Sequence, residues 1–162
     1  MKKFNQIAAF GKKLMSMDDM ENVLQLISDE AKNLVDAQRC SIFIVDKEDK
    51  ILWTKLSDGI GRIVIGLDSG IVGVTYETKT PQVVNEPYED KRFLQNIDKK
   101  SGFTTKNIIT VPIFDSKRDV MGVMQLLNKK RFDFDNADLD LLTFFANYVS
   151  GSLELVLLSE KY

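Results

Sequence analysis

The side chains that most often carry catalysis or bind transition metals are nearly missing from this sequence. Its 162 residues include no histidine and a single cysteine, Cys40. No Ser-His-Asp or Cys-His arrangement can therefore exist, a thiol mechanism that needs an attacking and a resolving cysteine lacks one partner, and no phosphate loop of the Walker type occurs. Carboxylates are plentiful without a marked spacing, which leaves a nonhaem iron site open. We expect no catalysis, no required cofactor, no metal and no internal disulfide.

Two polar stretches are better candidates for function. Residues 86–105 form a long polar excursion, and such a segment inside a folded domain is more often functional than idle. Residues 128–142 read NKKRFDFDNADLDLL, where a strand end is followed after a few residues by a helix start. Asp138 falls in the first turn of that predicted helix, where the helix dipole favours a carboxylate.

Length, composition and charge describe one ordinary domain. The chain has 44% hydrophobic and 28% charged residues, a mixture typical of a folded protein. Its 22 basic and 24 acidic residues give a net charge of -2 and neither sign is concentrated, so we expect a small-molecule or protein partner and no nucleic acid. No apolar run reaches the ~20 residues of a membrane span and no signal peptide is visible, which predicts no membrane segment and a cytoplasmic location.

Hydrophobic spacing predicts an α+β domain with helices at both ends. Helices are predicted over 2–15, over 17–35 with Ser16 and Asp19 as a capping box, and from Asn136 or Ala137 almost to the end. The predicted strands, with a short helix after Gly70, are 40–45, 51–56, 62–67, 82–85, 106–114 and 119–128. We expect residues 1–15 to be a dimer or linker helix, 16–158 the domain and 159–162 a tail.

The last helix carries two neighbouring apolar stripes. They are Leu142, Ala146, Val149, Leu153 and Val156, and beside them Leu141, Phe145, Tyr148 and Leu155. One stripe should meet the sheet and the other a partner chain, unless both widen one core face. A dimer through the terminal helices would use Phe4, Ile7, Leu153 and Val156.

Four stretches occur in an order and spacing that resemble a known family. They are CSIFIVD, GIVG, YEDKRFLQNIDKKSGFTTKNIITVPI and MGVMQLLNK, within about residues 20–158. The chain resembles the GAF domains, specifically the cyclic-nucleotide-binding type of phosphodiesterases and bacterial adenylyl cyclases. The resemblance implies the GAF fold, which is PAS-like or profilin-like: a central, mostly antiparallel six-stranded sheet with the N- and C-terminal helices on one face and a ligand pocket under a lid on the other.

The resemblance also assigns roles to the two polar stretches. In residues 128–142 it implies a structural motif with a lysine–aspartate bridge from the last strand to the final helix, formed by Asn128, Lys129, Phe134 and Asp138, with Leu139 where the family has a glutamate. In residues 86–105 it implies the lid. The expected ligand is a cyclic nucleotide, cyclic AMP or cyclic GMP.

A cyclic nucleotide needs amide donors for its phosphate, hydroxyl groups and an apolar slot. The backbone N–H groups of Ile71 and Val72 would meet the phosphate. Asp58 would accept from the edge of guanine and face a lone pair of adenine. The other implied ligand-binding residues are Ser41, Leu94, Asp98, Ser101, Phe103, Thr105 and Gln125. Leu94, Ser101 and Gln125 replace an aromatic residue, a threonine and a glutamate of the family, so the base preference stays open.

These patterns lead to one functional hypothesis and one alternative. The hypothesis is a regulatory sensor domain, not an enzyme, that binds a small molecule and signals through its terminal helices as a homodimer. The alternative is a non-catalytic dimerisation module with an empty pocket or a different small ligand. The sequence does not specify an output domain or pathway.

Overall fold

Helices and strands follow one another in the order that the hydrophobic spacing predicts. The structure is a computed structural model that describes residues 2–16, 20–57 and 62–159. Its elements are α1 (Lys2–Met15), α2 (Met20–Val35), β1 (Ala37–Asp46), β2 (Ile51–Ser57), β3 (Val64–Gly66), α3 (Gly70–Thr78), β4 (Gln82–Val84), a 3₁₀ turn (Pro87–Glu89), α4 (Gln95–Ser101), β5 (Ile108–Phe114), β6 (Val120–Lys129) and α5 (Asn136–Ser159).

The strands form one sheet in the order β3-β2-β1-β6-β5-β4. Every neighbouring pair is antiparallel, so the predicted six-stranded, mostly antiparallel sheet is confirmed. The two edge strands, β3 and β4, have three residues each, which limits the backbone they offer to other chains. The two longest strands, β1 and β6, pair at the centre of the sheet.

The two faces of the sheet support different layers. On one face, alternate strand residues such as Ile42, Ile109 and Leu126 pack with α1, α2 and α5 in the main core. On the other face, residues such as Phe43 and Ile108 pack with α3 in two smaller clusters. The predicted placement of the terminal helices on one face is confirmed, and the opposite face is left to α3 and the lid.

The burial of residues on α5 and α1 differs from two of the predictions. Phe145 was assigned to the stripe beside the core stripe, but it is fully buried, since α5 lies flat enough on the sheet to bury residues on both stripes. Leu153 and Ile7 were expected at a dimer surface and are also buried in the main core. The exposed apolar residues on these helices include Phe4, Phe144, Tyr148 and Leu155.

By length and composition alone, α5 could cross a membrane. An 18-residue window within residues 136–158 has a mean hydropathy of 1.5. Its buried residues, however, pack against the sheet in the main core, and a core helix of a folded domain passes the same test. We interpret α5 as a core helix.

The junction between α1 and α2 also differs from the prediction. Ser16 was expected to cap α2, but its hydroxyl donates to the Lys13 carbonyl at 2.7 Å and so closes the end of α1. Asp19, the other half of the predicted capping box, lies outside the described residues. Gly11 is buried where α1 crosses α5, and a Cβ there would lie 2.1 Å from the Tyr148 hydroxyl. The glycine therefore permits the close approach of the two helices.

Candidate ligand-binding site beneath the lid

A cavity lies between the sheet and the lid, which we define as residues 86–105. Its floor comes from β1, β5 and β6, one wall from the start of α3, and its cover from the lid. Its lining is mostly apolar, and the polar lining residues among those described are Ser41, Asp98, Thr105 and Gln125. An apolar chamber with a few polar groups is typical of small-molecule sites.

The cavity is narrow in this structure. Ligand sites usually enclose about 300–1,000 Å³. The centre of a water molecule can reach only about 50 Å³ of this cavity, because lid side chains lie close to the floor. A nucleotide would therefore need an outward movement of the lid.

A row of polar residues crosses the floor of the cavity. Strand register pairs Ser41 with Gln125, Gln125 with Thr110, and Thr110 with Gln82. Thr110 is not available to a ligand, since its hydroxyl lies 2.5 Å from that of the buried Thr75 and ties α3 to β5. Ser41 and the half-buried Gln125 remain as the polar groups of the floor that line the cavity.

The start of α3 supplies the backbone donors that the sequence predicts. Gly73 donates the first intrahelical hydrogen bond, to the Ser69 carbonyl at 2.9 Å, so the N–H groups of Gly70, Ile71 and Val72 precede the helical ladder. All three of these residues line the cavity. Gly70 has φ 69°, and a Cβ there would lie 3.1 Å from Leu94 of the lid, so glycine is needed for both reasons.

Asp98 holds the lid together through hydrogen bonds to other lid residues. It is buried, and its carboxylate accepts from the Thr105 N–H and the Thr105 hydroxyl, both at 2.8 Å. The Tyr88 hydroxyl donates to the same carboxylate, and this hydrogen bond raises the pKa of Tyr88. The sequence analysis did not identify Tyr88. It predicted that Asp98 and Thr105 contact the ligand, and it did not predict the hydrogen bonds between them. Their role in contacting a ligand stays a prediction.

The predicted ligand-binding residues fall into three groups. The first group lines the cavity and consists of Ser41, Ile71, Val72, Leu94, Asp98, Thr105 and Gln125. Ser101 lies instead on a neighbouring opening, and Phe103 packs under the cavity with the Arg39 guanidinium 3.8 Å from its ring centre. Asp58 lies outside the described residues.

One end of the lid is fastened to the segment between β6 and α5, and the other end is fastened to the last residues of β6. At the first end, the Asn85 side chain donates to the Phe134 carbonyl at 3.1 Å and accepts from the Phe134 N–H at 3.0 Å. At the second end, the Asn128 side chain accepts from the Lys106 N–H at 2.6 Å and donates to the Thr104 carbonyl at 2.9 Å. The lid therefore cannot move far at either end without disturbing the end of β6 or the segment that leads into α5.

Comparison with known proteins agrees with this architecture. A model of the GAF domain family matches residues 19–153, which is most of the chain. The chain belongs to the GAF domain family. A probable 3',5'-cyclic phosphodiesterase of Caenorhabditis elegans is 31% identical over 156 residues, and a dual 3',5'-cyclic-AMP and -GMP phosphodiesterase of Takifugu rubripes is 32% identical over 130. These matches cover 88% and 68% of this GAF domain but only 21% and 14% of the relatives.

Solved structures show the same fold at low sequence identity. The GAF domain of a phosphoenolpyruvate-protein phosphotransferase from Acinetobacter has a TM-score of 0.83 with 18% identity, covering 100% of this GAF domain and 99% of that chain. A free methionine-R-sulfoxide reductase from Neisseria meningitidis has a TM-score of 0.80 with 16% identity, covering 94% and 89%. These likenesses confirm the predicted GAF fold.

The structural motif of this GAF domain is in place. The Lys129 ammonium lies 2.5 Å from the Asp138 carboxylate, which confirms the predicted bridge from the last strand to the final helix. Asp135 and Asp138 also cap α5 reciprocally: Asp135 accepts from the Asp138 N–H at 2.9 Å, and Asp138 from the Asp135 N–H at 3.0 Å. Sequence reasoning missed Asp135, although an acid three residues before Asp138 was the available signal. Leu139 packs against the main core.

The cap at Asp135 predicts a pH-dependent contribution to stability. The hydrogen bond from the Asp138 N–H, followed by the charge of Lys129, lowers the pKa of Asp135 below its ordinary 3.8. A depressed pKa contributes stability that is present above the ordinary value and is lost as the pH falls through the folded value. Asp135→Asn keeps the cap without the ionisation. The difference in melting temperature between wild type and Asp135→Asn should therefore shrink from pH 6 to pH 3.

Thermal melts at several pH values test this expectation. Asp133→Asn removes the same charge two residues earlier and serves as the control. A difference between wild type and Asp135→Asn that stays constant over the whole pH range would contradict the assignment.

Proposed function

We propose that this GAF domain is a regulatory sensor whose cavity binds a cyclic nucleotide, cyclic AMP or cyclic GMP. The observation that carries the proposal is the start of α3, where Gly70, Ile71 and Val72 present backbone N–H groups beside an apolar cavity. A helix N-terminus favours an anion, and the apolar walls suit a flat base. The similarity to cyclic nucleotide phosphodiesterases supports this ligand class.

The base would be read by the polar floor. Gln125 carries an amide that can donate and accept, so it can pair with the edge of either adenine or guanine. A glutamate there could only accept when ionised and would favour the N–H groups of guanine. The described part of the cavity therefore supports binding of both bases, with Ser41 as a neighbouring hydroxyl.

Closure of the lid is the step that would report binding. We expect saturating cyclic nucleotide to slow amide hydrogen exchange in residues 86–105 by about tenfold, because a lid that packs on the bound ligand opens to solvent less often than the lid of the free protein. Exchange in α2, on the opposite face of the sheet, should be unchanged. Hydrogen exchange followed by mass spectrometry measures both. Equal exchange in the lid with and without bound nucleotide would contradict a lid-based switch.

The signal would leave through α5. Asn85 fastens one end of the lid to Phe134, just before α5, so a lid that moves would shift this helix start. Asn128 fastens the other end to the end of β6, and the Lys129–Asp138 bridge joins that strand end to the first turn of α5. A ligand switches such an element only by binding its two states with different affinity.

A homodimer through the terminal helices is also part of the proposal. Phe4 contacts Phe144 with ring centres 5.0 Å apart, and Phe144 stacks beside Tyr148 at 6.3 Å. These rings, with Leu155, are partly exposed on one side of α1 and α5, and contiguous exposed apolar residues often mark an interface.

A charge placed in this surface should separate the dimer. We expect Phe144→Glu to raise the dimer dissociation constant by about tenfold or more, since burying an unpaired carboxylate costs more than 1.4 kcal/mol. Phe132→Glu changes an exposed phenylalanine in the loop before α5 and is the control. Sedimentation equilibrium measures the dissociation constant. A Phe144→Glu variant that dimerised as tightly as wild type would contradict the proposed interface.

We propose no catalysis for this domain. The thiol of Cys40 is fully buried in β1 on the helix face of the sheet, away from the cavity. Among the described residues, no group of three His, Cys, Asp or Glu side chains is arranged to hold a metal ion.

A further inference from the structure

A second opening lies beside the ligand cavity, between β3 and α4. Its polar side chains are Arg62, Ser69, Asn96, Lys100 and Ser101. Two of these are cationic, and none of the described residues that line the opening is acidic. The described side chains that line the opening therefore carry two positive charges and no negative charge.

The opening and the ligand cavity share one wall. Ile63, Ile65, Leu94 and Ile97 line both. The start of α3 also stands at their boundary, because Ser69 lines the opening while the next residues line the cavity. Ser69 precedes the helix without a side-chain capping hydrogen bond, so its hydroxyl is not used to close the helix end.

The charges are divided between the two spaces. No cationic side chain is among the described residues of the cavity wall, and its charged residue, Asp98, is engaged with Thr105 and Tyr88. Arg62 and Lys100 stand outside, on the opening. The guanidinium of Arg62 lies 4.9 Å from the ring centre of Trp53, a contact that restrains the side chain.

We propose that this opening is a cationic vestibule through which a phosphate-bearing ligand enters the cavity. The inference rests on the proposed function, since it needs an anionic ligand in the cavity. Arg62 and Lys100 attract the phosphate from solution, and the ligand then passes the shared apolar wall with its phosphate directed at the start of α3. Such steering raises the association rate constant far more than it changes dissociation, and salt weakens it.

Stopped-flow binding of cyclic GMP and cyclic AMP that carry a fluorescent anthraniloyl group tests the vestibule. We expect the double variant Arg62→Gln/Lys100→Gln to lower the association rate constant by about tenfold at low salt. The difference should nearly vanish at 1 M salt, where the screening length is about 3 Å. Arg62→Lys/Lys100→Arg keeps both charges and should associate at nearly the wild-type rate.

The control is Lys91→Gln/Lys99→Gln, which removes the same charge from exposed lid positions outside the opening. Equal association rates and equal salt dependence in the control and the vestibule variant would overturn the proposal. Failure of wild type to bind either nucleotide would remove the proposed function and the vestibule together, whereas normal wild-type binding with an unaffected vestibule variant would remove the vestibule alone.

Discussion

Gly73→Ala should weaken nucleotide binding by at least about tenfold and lower the free energy of unfolding by up to about 2 kcal/mol. A Cβ at Gly73 would lie 2.8 Å from the backbone carbon of Asp68 and 3.0 Å from the Leu67 carbonyl oxygen. Backbone atoms cannot turn aside as a side chain can, so α3 must move away from the loop before it. That movement displaces the N–H groups of Ile71 and Val72 from the cavity.

Helix propensity acts in the opposite direction and sets the size of the net effect. Alanine is favoured over glycine inside a helix by about 1 kcal/mol. The expected cost of overpacking, about 1–3 kcal/mol, is larger. Gly151→Ala in α5 isolates the propensity term, because no heavy atom lies within 4 Å of the added Cβ, and should be neutral or slightly stabilising. Chemical denaturation and calorimetry measure the two effects; wild-type affinity in a folded Gly73→Ala variant would contradict the role of α3.

Asn128 should be the most sensitive residue of the structural motif. It is buried with φ 61°, and its amide bonds to Lys106 and Thr104 at the end of the lid and to Gln38 on β1. Asn128→Gly keeps the backbone conformation and loses these bonds, which we expect to cost about 2–4 kcal/mol in unfolding free energy because buried backbone groups are left unpaired. Asn128→Ala should cost about 1–2 kcal/mol more, since alanine disfavours the left-handed region.

A third variant separates the acceptor from the donors. Asn128→Asp retains an oxygen for the Lys106 N–H, but its second oxygen faces the oxygens of Thr104 and Gln38 in a buried site, so its stability should be no higher than that of Asn128→Gly. Hydrogen exchange should also be faster at residues 104–107 in all three variants. Three variants as stable as wild type, with normal protection of these amides, would show that Asn128 does not hold the lid.

Much of the fold followed from periodicity, because its information is local. The β-branched and apolar content of β1, β5 and β6 and the four-and-three spacing of α5 are local signals, and the structure has these elements as predicted. Phe145 was misplaced because a spacing rule gives the angle of a residue around a helix but not how deeply the helix lies on the sheet. Its burial depends on the strands beneath it.

The candidate site was less accessible to sequence reasoning, because its contacts are long-range. Asn85 was predicted as the last residue of a strand, and nothing local shows that it binds Phe134, 49 residues away. The mutual bond of Asp98 and Thr105 was hidden for a related reason: a resemblance transfers positions, whereas hydrogen-bond partners depend on how the lid folds. The Lys129–Asp138 bridge was predictable because the family resemblance implies it; from the residues alone, only the place of Asp138 in the first turn of a helix was predicted.

Isothermal titration of the refolded protein with cyclic AMP and cyclic GMP tests the central claim most directly. Unfolding and refolding first removes any ligand that was carried through purification. The account predicts binding of micromolar strength or tighter for at least one of the two, weakened in Gly73→Ala and retained in Gly151→Ala. No binding of either nucleotide to a protein that is folded by circular dichroism would contradict the sensor function and leave dimerisation, or a different small ligand, as the role of this domain.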